Sequence, residues 1–288
     1  MTKVCAIVVL YNNKDSLTVR NTKLISEQVD KIYLIDNSSD SYEDLYKGIA
    51  NCFYLPQYKN LGIAAAQNIG IRKAINNDDD FIFFADPDSE IPKDTVSKLI
   101  NKYYNLLNHN YSPGGVCTSA FNTTTGLSIS LKGNYIQDVN DENVYEISYM
   151  MNSGSLIPTK NFRDVGFMWE NLFIDDVDCE WCWRATKKMG VRFFQDKDIC
   201  IIHHLGNNAK KVGAKFRSIS PPQRLFYQYR NFLWMLQKGY APKQWLRYNG
   251  WKYIIKVFYF PIFVEPRWLN LKNIVKGIYH GIRFVPRS

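Results

Sequence analysis

The first two hundred positions alternate short runs of β-branched and aromatic residues with longer stretches whose apolar positions recur at helical spacing. Val4–Leu10, Lys31–Ile35, Asn51–Tyr54 and Phe81–Ala85 read as strands, and segments near 15–29, 41–50, 63–76 and 92–108 read as the helices between them. Strands alternating with helices over short connectors predict an α/β fold, a mostly parallel sheet flanked by helices. From about residue 114 the pieces shorten to Gly115–Ser119, Leu127–Leu131 and Val144–Met150, with Asn, Thr and Gly between them, so a mixed or antiparallel extension is expected. A helix over Asp178–Met189 ends at Gly190, as helices commonly do. Strands Val191–Gln195 and Ile199–Ile202 then lead into His203-His204-Leu205-Gly206.

After Ser220-Pro221-Pro222, the residues Leu225, Phe226, Tyr229, Phe232, Leu233 and Leu236 share one face of a helix, with Arg224 and Arg230 toward its other sides. Segments 242–260 and 266–284 interleave Trp, Tyr and Phe with Lys and Arg. Charge divides the chain near the same place. Residues 1–208 hold 20 basic and 26 acidic side chains, a net of −6, whereas residues 209–288 hold 16 and 1, a net of +15. We therefore expect an α/β domain over 1–208 and a basic, aromatic, mainly helical region over 209–288. The longest uncharged apolar run of that region, Val257–Val264, is broken by Pro261 and is too short to span a bilayer.

Hydrophobic residues make up 46% of the 288 and charged residues 22%, which suits a globular chain with a sizeable core and excludes disordered and collagen-like classes. Six cysteines follow no regular framework and Met1-Thr2-Lys3-Val4 carries no signal-peptide pattern, so a reducing, cytoplasmic setting is expected. Cys179-x-x-Cys182 lacks a second pair at ligand spacing, which weighs against zinc or redox use.

Candidate chemistry gathers where the strands end, the edge at which open α/β sheets bind ligands. Tyr11 and Asn12 follow the first strand, Asp36-Asn37-Ser38-Ser39 the second, and Asp86-Pro87-Asp88 the fourth. Two carboxylates one residue apart suit Mg²⁺ or Mn²⁺, ions that complete their shells with substrate phosphates. A plain turn would also account for Asp-Pro-Asp and for Asp-Asn-Ser-Ser. Asn60-Leu61-Gly62, followed by Ala64, Ala65, Ala66, Asn68 and Gly70, reads either as a glycine where backbone approaches phosphate or as a tightly packed helix start.

Taken in order and spacing, Tyr11, Ile35-Asp36-Asn37-Ser38-Ser39, Asn60-x-Gly62-x-Ala64-x-x-x-Asn68-x-Gly70, Asp86-x-Asp88 and Phe173-Ile174-Asp175-Asp176-Val177-Asp178-Cys179-Glu180-Trp181-Cys182-Trp183-Arg184 resemble family 2 glycosyltransferases of the GT-A fold, and within them bacterial rhamnosyltransferases. The resemblance covers about residues 3–206. It implies a Rossmann-like sheet in which Tyr11 and Asp36 hold the base and ribose of a nucleotide-sugar, with Asn37, Asn60, Gly62 and Asn68 around the same pocket. It implies a divalent ion on Asp88, with Asp86 on ribose or metal and His203 as a further ligand, His204 being the alternative. Asp178 falls at the general-base position, with Asp175 and Asp176 as close rivals. The loop Asn152-Ser153-Gly154-Ser155, after a strand ending at Met150-Met151, and Trp169 resemble the acceptor side, though an ordinary turn and a core tryptophan read equally well.

The chemistry agrees: inverting glycosyl transfer needs one carboxylate to take the acceptor proton and one cation to stabilise the departing diphosphate. The resemblance implies transfer of L-rhamnose from dTDP-L-rhamnose to a lipid-linked bacterial polysaccharide precursor. A UDP-donor carrying galactofuranose, glucose or galactose is the alternative. The basic aromatic region is expected to lie on an anionic membrane at the inner face of the plasma membrane, or to pack as an oligomerisation region; no nucleic-acid module accompanies it. Two other classes compete. A catalytically inert nucleotide-sugar or membrane scaffold is disfavoured by Asp88, Asp178 and His203, and a nucleotidyltransferase by the absence of glycine from Leu10-Tyr11-Asn12-Asn13-Lys14.

Overall fold

The computed structural model describes residues 2–123, 126–136, 143–203, 209–212, 215–218 and 220–286. Four parallel strands form one half of the main sheet in the order β3 (Cys52–Pro56), β2 (Lys31–Asp36), β1 (Val4–Leu10), β4 (Phe81–Ala85). β1 is apolar at every position because it is covered on both faces, as a central parallel strand must be. Cys5 and Ile7 join a core under the helix α2 (Ile63–Asn76), while Val4, Ala6, Val8 and Leu10 join a second core under α1 (Ser16–Ser26) and α3 (Thr95–Asn108). Period-2 alternation of one strand thus feeds both layers of a helix–sheet–helix sandwich.

Beyond β4 the sheet turns mixed, as the shorter strand pattern predicts. β5 (Ser89–Glu90) is a two-residue spur, β6 (Pro113–Asn122) carries β7 (Leu127–Ile129), and β8 (Gly133–Tyr135) and β9 (Val144–Ile147) form the far edge. β10 (Ser155–Pro158) runs antiparallel between β4 and β6, and β11 (Arg192–His203) runs parallel to β6. The helices α4 (Thr159–Val165) and α5 (Val177–Met189) cover this half, with Gly190 closing α5 in the left-handed conformation. A separate hairpin pairs β12 (Ala209–Val212) with β13 (Lys215–Ser218).

Three local expectations fail. Residues 41–50 hold only a single 3-10 turn, Glu43–Leu45. Tyr46 is the one fully buried apolar residue of that segment, and a lone anchor followed by Gly48 cannot sustain an amphipathic helix. The segment after Ile147 leaves the sheet, so Met150-Met151 is not a strand. The two strands expected over 191–202 are one: Asp196-Lys197-Asp198, which reads as a turn, is an irregularity inside β11, where buried Asp196 pairs with Lys102 at 3.0 Å and accepts from Asp198 N at 2.8 Å.

The basic region forms α6 (Pro222–Lys238), α7 (Lys243–Phe263) and α8 (Arg267–Arg283). α6 serves two cores. Trp234 and Met235 complete the one beneath α5, whereas Leu225 and Tyr229 pack with Tyr253, Phe260 and Ile274 of α7 and α8. Among the described residues no helix is long and apolar enough to cross a membrane.

Candidate active site

β4 is buried along its whole length and ends directly in Asp86-Pro87-Asp88, so a rigid central strand fixes both carboxylates. The turn is braced from three sides. Asn21 Nδ2 donates to Pro87 O at 3.1 Å, Asp86 N donates to Ser153 Oγ at 3.2 Å, and Ser153 Oγ donates to Ser89 Oγ at 2.8 Å. Gly154 N adds a bond to Phe84 O at 2.9 Å, which seats the Asn152–Ser155 loop against the acidic turn. β5 pairs antiparallel with the end of β11, setting His203 opposite Ser89, the neighbour of Asp88. His204 lies outside the described residues.

The first turn of α5 brings the third carboxylate. Burial pushes the Asp86 carboxyl up to about 7, reinforced by the charges of Asp88 and then Asp178, which lie close enough to act on it. Burial also raises Asp178, opposed by the Cys179 N–H, which donates to its Oδ1 at 2.9 Å, and by the Asn152 N–H. A carboxylate at a helix N-terminus is held in place by just such donors. Asp86, Asp88 and Asp178, drawn from positions ninety residues apart, thus lie near enough at the carboxyl edge of the sheet for the charges of Asp88 and Asp178 to act on Asp86. The oxygen donors Asp86 and Asp88 suit a hard divalent cation. Among the described residues no three metal-ligating side chains converge on one point.

Asp175 and Asp176 have different surroundings. Both adopt left-handed backbone, with φ of +62° and +63°. Asp175 is gripped by Arg224 of α6 through two guanidinium nitrogens, at 2.9 Å from Nε and 2.7 Å from Nη2, a two-pronged ion pair. Asp176 points a buried Oδ2 at no hydrogen-bond partner, and burial, with the charges of Asp175 and Asp178, pushes it up to about 7.

At the other strand ends, Tyr11 stands exposed after β1. Ser38 couples β1 to β2: its hydroxyl accepts from Asn12 N at 2.7 Å and donates to Asp36 Oδ1. The second Asp36 oxygen accepts from the Tyr54 hydroxyl, so Asp36 is turned inward and buried, with both oxygens engaged by the chain. Asn37 donates to Gly62 O at 3.1 Å, and Asn60 Oδ1 accepts from Gly62 N at 2.9 Å. These residues form one continuous rim.

Two residues of this rim meet the chain itself. Phe173 lies against Gly62: a Cβ there would lie 2.5 Å from Phe173 Cδ2 and 2.6 Å from Phe173 O. Asn68 faces the 168–170 segment. It is buried and saturated, donating to Met168 O and Glu170 Oε1 at 2.9 Å each and accepting from Met168 N at 2.9 Å, so it fastens α2 to the 168–170 segment. Trp169 is likewise a core residue, 5.3 Å from Trp234. Cys179 and Cys182 are buried free thiols, raised well above their ordinary range by burial, and so unreactive.

Sequence reasoning missed the part played by α6. Arg230 and Asn231 do not face outward: Asn231 Nδ2 donates to Leu172, Ile174 and Asp175 carbonyls, and Arg230 Nη2 donates to Asn171 and Leu172 carbonyls while stacking 4.2 Å from the Trp234 ring. Tyr227 stacks on Phe173 at 4.8 Å. The loop that carries Asp175, Asp176 and Asp178 is thus shaped by a helix from the basic region. The signal was an Arg-Asn pair beside an aromatic face, legible only once its target was known. Inside α5, Glu180 is fully buried, paired with Arg184 at 2.7 Å and accepting from Tyr240 Oη at 2.6 Å.

This arrangement has the overall shape of known transferases. The crystal structure of GalNAc-T7 with UDP, GalNAc and Mn²⁺ superposes with a TM-score of 0.56 at 13% identity, covering 87% of this chain and 54% of that one. The crystal structure of TarS from S. aureus gives 0.54 at 15% identity, covering 96% and 49%. The chain spans about half the length of both, and at those identities the likeness is one of fold: the GT-A architecture.

Residues 5–156, more than half of the chain, match Glycosyl transferase family 2, and the protein belongs to that family. It is 29% identical over 245 residues to the dTDP-rhamnosyl transferase RfbF of Shigella flexneri, an alignment covering 83% of this chain and 81% of that one. A glycosyltransferase activity follows from this membership.

Proposed function

We propose that this protein is an inverting, metal-dependent transferase that moves L-rhamnose from dTDP-L-rhamnose to a lipid-linked saccharide, working at the inner face of the plasma membrane. The observation that carries the reading is that the Asn152-Ser153 loop touches both, its Asn152 N–H reaching Asp178 and its Ser153 Oγ accepting from Asp86 N, which sets Asp178 beside the Asp86-Pro87-Asp88 turn. It joins a proton acceptor to a set of oxygen ligands where the family binds its donor. The sugar and nucleotide come from the relative's name, dTDP-rhamnosyl transferase.

In this mechanism Asp178 takes the proton from the acceptor hydroxyl as that oxygen attacks the anomeric carbon, and the bond from that carbon to the nucleoside diphosphate breaks on the opposite face. The Cys179 N–H holds the carboxylate oriented toward the acceptor. A divalent ion, Mg²⁺ or Mn²⁺, held by Asp88 with Asp86 and His203, would neutralise the charge developing on the diphosphate. Tyr11 and the Asp36-Asn37-Ser38 turn form the nucleotide side of the site, with Asp36 acting through the turn it holds together. Asp175 serves as an anchor for α6 rather than as the base.

The test is release of free nucleoside diphosphate from a panel of dTDP- and UDP-sugars without acceptor, with Mg²⁺ or Mn²⁺ and with EDTA. Release from dTDP-L-rhamnose that stops on chelation is expected. Release from a UDP-sugar alone discards rhamnose, and turnover indifferent to EDTA discards the metal.

A further inference from the structure

A groove of about 980 Å³ lies between α6 and α7, next to the loop that carries the candidate base. Four cations line it, Arg224, Arg247, Lys252 and Lys256, and no carboxylate does. Arg224 is satisfied by Asp175. Among the described residues the other three have no carboxylate partner, and the single acid after residue 208, Glu265, pairs with Arg267 at 3.0 Å. Lys256 donates to Gln228 Oε1 at 2.9 Å, and burial together with the Lys252 ammonium, against the opposing charge of Asp175, pushes it down to about 8. Asp175 and Asp176 act on Lys256 and Lys252 from beside the groove, and the positive charge in excess of theirs calls for an anion.

The same helix presents an apolar stripe beside these cations. Trp251, Ile254, Ile255, Phe258 and Ile262 recur at i, i+3, i+4, i+7 and i+11, which places them on one face of α7, and every one is exposed, Trp251 at 69%. Trp268, at the start of α8, is 75% exposed. An exposed stripe of this size marks a surface that meets another apolar phase. A second copy of the chain fits poorly, because pairing two such faces would oppose the like charges of two +15 regions. A bilayer fits both features, with Trp and Phe in the acyl boundary and the ammonium groups at headgroup level.

We propose that the α6–α7 groove seats the diphosphate headgroup of a membrane-embedded amphiphile, while the Trp251–Ile262 stripe of α7 lies in the surrounding lipid. Arg224 stands on the wall of the groove and grips Asp175, three residues from Asp178, so a saccharide carried on that headgroup leads from the groove toward the base. This rests on the reading of the acceptor as lipid-linked, and it assigns the part of the acceptor that the chain grips.

The test is flotation of the full chain, without nucleotide, on phosphatidylcholine vesicles alone, on vesicles with phosphatidylglycerol, and on vesicles with a polyprenyl diphosphate at matched surface charge. The expected order is strongest with the diphosphate lipid, weaker with phosphatidylglycerol and least with phosphatidylcholine. Lys252→Gln with Lys256→Gln should weaken binding to the diphosphate vesicles roughly thirtyfold, about a factor of five for each cation. Trp251→Ser with Phe258→Ser should weaken binding to both anionic vesicles. Equal binding to the two anionic vesicles overturns the headgroup site, as does an unchanged double-lysine variant that unfolds at the wild-type midpoint. If that variant fails to fold, the wild-type order across the three vesicles decides alone. A dimer that ignores every vesicle assigns the face to a second copy and also overturns the proposal. Failure here with donor turnover intact leaves the transferase standing, and the converse result removes the transferase and keeps the lipid site.

Discussion

Substituting Gly62 by alanine isolates one contact on which the acidic loop depends. Gly62 has φ +82° and ψ 167°, a region that only glycine occupies without strain of about 1–3 kcal/mol. The added Cβ would also stand 2.5 Å from Phe173 Cδ2 and 2.6 Å from Phe173 O. The second atom is backbone and is already bonded to Ile63 N at 2.6 Å, so it cannot swing aside. Overpacking of this kind costs about 1–3 kcal/mol more, giving roughly 2–6 kcal/mol in all. Two internal controls grade the effect. Gly190, at φ +69° with no atom within 4 Å of its Cβ position, should cost about 1 kcal/mol as alanine, and Gly48, with neither feature, about zero. Denaturant unfolding of the three variants measures the series. Because Phe173 leads into Asp175, Asp176 and Asp178, Gly62→Ala should also depress donor turnover in the fraction that remains folded. A cost below about 1 kcal/mol for Gly62→Ala, or equal costs at positions 62 and 190, would refute the clash argument and with it the view that Phe173 fixes the loop.

Asp178→Asn should lower the rate of transfer by about 10²–10⁴ while donor affinity, read by calorimetry, stays near wild type; near-normal turnover would remove Asp178 from the base role. Glu180→Ala, which removes the carboxylate from Arg184 and the acceptor from Tyr240 and leaves the guanidinium only the Val165 and Phe167 carbonyls, should destabilise the fold by about 3–5 kcal/mol in thermal or denaturant unfolding, whereas a shift under 1 kcal/mol would mean those carbonyls suffice for Arg184. Asp176 releases its proton near 7 when folded against 3.8 ordinarily, so between those values the folded chain binds more protons than the unfolded one and this residue's contribution to stability falls as pH rises. Relative to wild type, Asp176→Asn should therefore gain roughly 2–3 kcal/mol of stability on moving from pH 5 to pH 8, and a difference independent of pH would contradict the buried, partnerless placement of Oδ2.

Much of the fold was legible because parallel strands and their helices are specified locally. Val4–Leu10, Phe81–Ala85 and the helix over 63–76 agree with their sequence patterns to the residue, since burial on both faces or on one stripe writes itself into every second or every third and fourth position. The acidic strand end was likewise visible as two carboxylates at a spacing that suits metal binding, and the carboxylates opening α5 through the family resemblance. Tertiary contact decided the rest. Which of three neighbouring aspartates is tied to another element depended on Arg224, forty-nine residues away, claiming Asp175. Whether Gly62 and Asn68 meet a ligand or the chain itself depended on where Phe173, Met168 and Glu170 come to lie. The turn-like Asp196-Lys197-Asp198 became part of a strand because Lys102 of α3 compensates the buried Asp196. Pattern along the chain records whether a position is buried, but not which distant group satisfies it.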